Sequence, residues 1–208
     1  MTVTVLDVAG NQMDFVEQIK SSTPHIDTKT GPAPLIQENS AVALLLTGGT
    51  LCNDAILEED TQAGDISAIG DPTEGALVIA AARVGLRKPN LEQVMPRVGE
   101  IPFDSDRKRM TTLHRFQISQ LPEALLPLWN ARALAAQSEA VLTITKGAVD
   151  GLLDVSSRVW VDGRIEQLND HWKERVQAAN NEMAQKGMRV LGVAVHMDAQ
   201  MPADVSAE

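Results

Sequence analysis

Strand-like segments follow one another along this chain with only a few polar residues between them, and that adjacency constrains the fold more than any other feature. Strands joined by tight turns pair antiparallel, whereas parallel pairing needs a crossover of about a dozen residues or more. Residues 98–103 and 110–116 read as strands joined by the charged stretch 104–109. Residues 158–161 and 164–167 flank Asp162-Gly163, a two-residue hairpin signal. Residues 2–8 alternate and are β-branched, Gly10-Asn11 reads as a turn, and 12–16 reads as a returning strand. Residues 141–145 and the apolar run 189–196 are two further strands.

Helical signals lie between these segments. Residues 35–46 read as a buried helix that Gly48-Gly49 ends or loosens. Asp71-Pro72-Thr73-Glu74 reads as a helix start, with Asp71 as N-cap, Pro72 in the first turn and Glu74 at the positive end, and the helix runs towards Gly85. Residues 122–136 and 147–155 read as helices, as do residues 169–185 with Gly187 at the C-terminal end. Residues 21–34 and 61–71 read as polar loops, and the tail from Asp198 as frayed. Hairpins mixed with helices predict an α+β fold with a mainly antiparallel sheet. With no internal repeat and no strong linker, residues 1–208 read as one domain.

A hydrophobic content of 44% and a charged content of 22% are ordinary for a globular chain. With 3% aromatic residues and no Tyr, the core is expected to be aliphatic. The net charge of −10 argues against a nucleic-acid partner, which needs clustered positive charge. The lone Cys52 cannot form a disulfide within the chain, which makes a reducing compartment the default. His25, His114, His171 and His196 have no metal-ligand spacing. No apolar run approaches the roughly 20 residues that span a bilayer, and no signal peptide is legible, so the chain as given is expected to be soluble, with a monomer as the default.

Motifs for a phosphate loop, a dinucleotide fold, a nucleophile elbow and a zinc protease are all missing from the sequence. Four segments remain. Phe103 precedes the cations Arg107, Lys108 and Arg109 in an otherwise acidic chain. A ring can stack on a base for about 1–3 kcal/mol, and an ammonium group nearby can meet phosphate. A core Phe beside a solvated turn is the structural alternative. Lys146 ends an apolar strand just before a helix start, where anions bind well, or is an ordinary surface lysine. Glu74 can accept a hydrogen bond from an exocyclic amine, or simply balance the helix dipole. Arg189, at the start of the last strand, can grip phosphate in a fork or form a strand-edge ion pair.

Taken singly these signals are weak, but their order is specific. Cys52-Asn53-Asp54, Gly70-Asp71-Pro72-Thr73-Glu74-Gly75-Ala76, Pro102-Phe103-Asp104-Ser105-Asp106-Arg107-Lys108-Arg109-Met110, Thr145-Lys146-Gly147-Ala148 and Met188-Arg189-Val190-Leu191 occur in one series. The series resembles the nucleotide-binding domain of type II P-type ATPases, the calcium- and sodium-pump branch, over nearly the whole chain. Met1-Thr2-Val3-Thr4 resembles the sequence that follows the phosphorylation motif of that family, so the chain reads as a module cut from a larger pump, just past the phosphorylated aspartate.

The resemblance implies a twisted antiparallel sheet flanked by helix bundles. It implies that Phe103 stacks on adenine and that Glu74 faces its amino group. Lys108 and Lys146 would line the cavity beside Gly147, Arg189 would reach the phosphates, and Leu191 would pack near the ribose or base. ATP is the implied ligand, with magnesium expected only together with the parent phosphorylation domain. The implied partners are the phosphorylation and actuator domains, on the cytoplasmic side of a membrane. The resemblance further implies that the terminal phosphoryl group passes to an aspartate outside this chain, to drive cation transport. Ser105 stands where pump relatives of animal sarcoplasmic membranes carry an arginine, with Arg107 or Arg109 as substitutes, and residues 118–138 read as a family-variable insertion. The competing function is a partner-binding or regulatory module that no longer binds nucleotide. The intact set of Phe103, Lys108, Lys146 and Arg189 argues against it.

Overall fold

The computed structural model describes residues 1–22, 34–60, 65–117, 139–161 and 164–198. Four strands form the central sheet: β5 (Arg97–Asp104), β6 (Arg109–Gln117), β7 (Glu139–Gly147) and β10 (Gly192–Asp198), in the order β10-β7-β6-β5. Every neighbouring pair is antiparallel, as the hairpin spacing predicts. Three two-stranded ribbons surround it: β1 (Val5–Val8) with β2 (Asn11–Asp14), β3 (Ile56–Asp60) with β4 (Asp65–Ile69), and β8 (Arg158–Val161) with β9 (Arg164–Gln167). The helices are α1 (Phe15–Ser22), α2 (Pro34–Glu38), α3 (Ser40–Leu51), α4 (Pro72–Arg83), α5 (Lys88–Val94), α6 (Val149–Val155) and α7 (Asp170–Gln185). The architecture is α+β, with helices on both faces of a mainly antiparallel sheet.

The alternation of β10 shows how the faces are covered. A Cβ added at Gly48 of α3 would come within 2.6 Å of Val193 Cγ1, so Val193 faces α3. The next residue back, Gly192, faces Leu152 of α6 on the other side, as the two-residue period of a strand requires. Helix α3 is sandwiched: Gly48 meets the sheet, and a Cβ added at Gly49 would lie within 4 Å of Leu77 in α4. Val42, Leu46 and Leu51 of α3 join Ala80 and Ala81 of α4 and Met110, Leu142 and Ile144 of the sheet in one buried, aliphatic cluster.

Several elements differ from the sequence reading. Residues 35–46 form two helices, because Asn39 accepts a hydrogen bond from Val42 N (3.1 Å) and caps α3. Gly48-Gly49 does not end that helix, which continues to Leu51. Each glycine costs about 1 kcal/mol of helix propensity, offset here by the close approach of the sheet. The second strand stops at Asp14, where the Asp14 carboxylate accepts from Glu17 N and starts α1 with the buried Phe15. Residues 61–71 are not all loop, since β4 pairs along β3 from Ile56↔Ile69. Helix α5, which the sequence reading did not assign, carries no side-chain cap at Arg87, and its only start signal is Pro89 in the first turn. The last strand begins at Gly192, not at residue 189. Gly187 turns the chain at φ +75° and Met188 N bonds back to Met183 O, so residues 188–191 are used in leaving α7. The expected helix 122–136, the insertion 118–138, the Asp162-Gly163 turn and the tail beyond Asp198 lie outside the described residues.

Candidate nucleotide site

Helix α4 starts as its sequence predicts. Asp71 Oδ1 accepts from Thr73 N (2.8 Å) and Glu74 N (3.2 Å). These two N–H donors hold the Asp71 carboxyl below its ordinary range, with a further pull from the Arg189 guanidinium. The Glu74 side chain is held at both oxygens. Oε2 accepts from Asp54 N (3.0 Å), and Oε1 accepts from Lys146 Nζ (2.8 Å). Each carboxylate oxygen keeps a second lone pair, so Glu74 is oriented without being saturated.

Lys146 sits near the end of β7, opposite Met110 on one side and Val193 on the other. Its side chain is 8% exposed and that of Glu74 is 20% exposed. The sequence reading treats these two residues as separate contacts, and the structure joins them as a half-buried ion pair. Cys52, fully buried nearby, donates to Met110 O (3.4 Å). Burial pushes its thiol pKa up, with Lys146 as the largest opposing influence.

Phe103 and Lys108 flank the turn between β5 and β6. The register slips between Ile101↔Thr111 and Asp104↔Arg109, so Pro102 and Phe103 together stand opposite Met110. Since Met110 also pairs with Lys146, the bulge and Lys146 lie on one transverse row, two strands or about 10 Å apart. The Phe103 ring is 65% exposed, too open for the alternative of a core phenylalanine. The turn is tied by Asp104, whose Oδ1 accepts from Asp106 N and Arg107 N. Lys108 has φ +52° and a solvent-facing side chain. Gly147 lets the end of β7 close on this turn, since a Cβ there would run into Lys108 O and Arg109 Cβ. Ala148 N donates to the same Lys108 carbonyl (3.0 Å).

Arg189 is exposed and Leu191 half-buried in the segment between α7 and β10. Arg189 is near enough to act on the Asp71 carboxyl, which sets it at the α4 end of the site. Arg107 and Arg109, the substitutes named from sequence for an arginine at position 105, both have neighbours within the protein. Arg107 Nη2 donates to Pro102 O (3.2 Å), and the Arg109 guanidinium approaches Gly151 in α6.

Four residues beneath Glu74 were missed by sequence reasoning as parts of a site. Asn53, 0% exposed, donates through Nδ2 to Gly49 O (3.1 Å) and Glu74 O (3.0 Å), and its Oδ1 accepts from Ala55 N (2.8 Å). Its carbonyl accepts from Lys88 Nζ and Arg97 Nη2, both at 2.7 Å. Arg97 also pairs with Asp54 and Glu100, both at 2.8 Å. Burial lowers the Lys88 pKa against the pull of Glu92. Cys52-Asn53-Asp54 was visible as a motif, but nothing in sequence marks Lys88 as the partner of two backbone carbonyls.

A separate cavity of ≈ 730 Å³ involves the other face of the sheet, lined by Thr111, Thr145, Leu152, Trp160 and Val195 among others. None of the seven candidate residues lines it. Among the described residues, no three or more His, Cys, Asp or Glu side chains gather as a metal site would require. Among them too, no helix is long and apolar enough to cross a membrane.

The site thus combines an ion-paired carboxylate at a helix start, an exposed ring two strands from the lysine of that pair, and two exposed cations, Lys108 and Arg189. The family described as "P-type ATPase, cytoplasmic domain N" matches residues 41–207, and the chain belongs to that family. It is 33% identical over 156 residues to calcium-transporting ATPase 1 of Bacillus cereus, covering 75% of this chain and 14% of that protein. It is 31% identical over 179 residues to the probable cation-transporting ATPase F of Mycobacterium tuberculosis, covering 86% of this chain and 17% of that protein. The calcium-transporting ATPase of Bacillus subtilis is 31% identical over 159 residues, or 76% of this chain and 15% of its own length. The chain therefore spans about one sixth or less of these relatives.

Proposed function

We propose that this domain binds ATP by its adenine end and, within a larger cation pump, presents the terminal phosphate to an aspartate on another domain. The observation that carries the reading is the Glu74–Lys146 pair at 2.8 Å. It ties a carboxylate acceptor to Lys146, which lies on the transverse row that runs to the exposed Phe103. Phe103 stacks on the base, Glu74 accepts from the exocyclic amino group, and Gly147 lets the strand end close against the turn that carries Lys108. Lys108 and Arg189 meet the phosphates from opposite sides, and Leu191 packs near the ribose. The residues present fit such a ligand: the acceptor is oriented but unsaturated, the ring is accessible, and the cations are exposed.

Phosphoryl transfer rests on in-line positioning and metal-assisted charge neutralisation. The magnesium that supplies the latter belongs, in this reading, to the phosphorylation domain. This domain contributes grip and orientation, and hinge closure brings the phosphate to the acceptor. The cation is proposed to be calcium, on the names of two of the relatives above. Titrating the ¹⁵N-labelled chain with ATP tests the central claim. Shifts clustered at Glu74, Phe103, Lys146 and Gly147 are expected, and an unchanged spectrum at millimolar ATP overturns it.

A further inference from the structure

Both oxygens of Glu74 are oriented, but only one of the two groups orienting them is a side chain. Lys146 holds Oε1, whereas Oε2 is held by the backbone N–H of Asp54. The direction in which Glu74 presents its remaining lone pairs therefore depends on the path of the chain at residues 53–55. That path is set by Asn53. Its amide crosses from the last turn of α3 at Gly49 to the α4 backbone at Glu74 and clasps Ala55 N. Lys88 and Arg97 clamp its carbonyl from outside. We propose that Asn53 is the positioning residue for base selection: it holds the Asp54 N–H against Glu74, and so makes the site prefer a purine with a 6-amino donor over one with a 6-oxo acceptor. The proposal rests on the nucleotide reading above and adds a residue two steps removed from the ligand.

The physical basis is the asymmetry of a charged acceptor. A carboxylate gains a hydrogen bond from a 6-amino group and meets only repulsion from a 6-carbonyl oxygen. Sites built around such a contact discriminate strongly because the wrong base leaves a polar group unpaired. If Asn53 is shortened, the Asp54 N–H is no longer fixed and Glu74 relaxes onto Lys146 alone. Adenine then loses its aligned acceptor, while stacking on Phe103, which is indifferent to the 6-substituent, persists.

The test compares ATP with inosine triphosphate on the 208-residue chain by NMR titration, for the unsubstituted protein, Asn53→Ser and Arg97→Met. The unsubstituted chain is expected to favour ATP by about tenfold or more. Asn53→Ser should reduce that ratio about fivefold, almost wholly through ATP, and move the Asp54 amide proton upfield as its bond to the carboxylate weakens. Arg97→Met, at a partly exposed side chain, should shift the ratio in the same direction by less, and it carries the test if Asn53→Ser does not fold. Equal weakening of both nucleotides, or an unchanged ratio in folded variants, overturns the role of Asn53 and leaves ATP binding standing. Binding of neither nucleotide by the unsubstituted chain overturns the nucleotide reading and this inference with it.

Discussion

At the scale of single residues the proposed site divides between groups that would hold the base and groups that would hold charge. Phe103→Ala removes stacking from a part that ATP, ADP and AMP share, so all three should weaken by similar factors, about 5- to 100-fold. Arg189→Ala should weaken ATP and ADP more than AMP, and its effect should shrink as salt rises. A nucleotide series titrated at low and high ionic strength checks both. If Phe103→Ala binds all three as the parent does, the base sits elsewhere. Lys146 has a second role that only the structure reveals. Lys146→Met strands a Glu74 carboxylate that is 20% exposed, which should cost about 1–3 kcal/mol of stability in urea unfolding. It should also weaken every nucleotide carrying adenine. The residues proposed to contact adenine stand out in sequence because motif order marks them. The partnership of Glu74 with Lys146 does not, because 72 residues separate them.

At the scale of elements, two ionisable groups tie local structure to pH. His114 in β6 is fully buried between Met95 O and Thr112 Oγ1, both at 2.9 Å. A carbonyl can only accept, so Nδ1 donates to Met95 and Nε2 accepts from the Thr112 hydroxyl, which is the neutral ring. Burial pushes its pKa down from 6.5 to about 4. Between those values the unfolded chain takes up a proton that the folded chain refuses. Stability is therefore full above pH 6.5 and falls as pH drops towards 4, by about 3 kcal/mol across the window. Urea midpoints from pH 7 to 4 should show this fall, and His114→Gln should flatten it. Asp71 acts in a lower window. Its carboxyl is depressed by the α4 N–H donors, so its contribution is present above pH 3.8 and is lost as pH falls through its folded value. Asp71→Ala should lower the melting temperature by a few degrees at pH 7 and by less at pH 2.5.

At the scale of the whole molecule the proposed function is to grip a nucleotide, with the chemistry supplied by another domain. Stacking and a few charge-assisted hydrogen bonds, set against lost translational freedom, leave an ATP dissociation constant of roughly high micromolar to millimolar. Calorimetry giving a nanomolar constant would contradict the open surface site. Incubation with labelled ATP and acid precipitation should leave no label on this chain, since the proposed acceptor aspartate belongs to another domain. Retained label would mean that the domain is misassigned.

The sequence by itself determined what is written within a few residues: the hairpins that force an antiparallel sheet, the Asp71 cap, the Asn169-to-Gly187 helix, and the ordered motifs around Phe103, Lys146 and Arg189. Those features follow from backbone chemistry and side-chain period, which act over one turn or one strand. Tertiary structure decided the rest. It carried α3 through Gly48-Gly49, because Val193 requires that closeness. It made β4 a strand by giving it β3 as a partner, and it drew Lys88 under Asn53. Each of these is settled by a neighbour distant in sequence, whose packing or hydrogen bonds outweigh local preference by a kcal/mol or so.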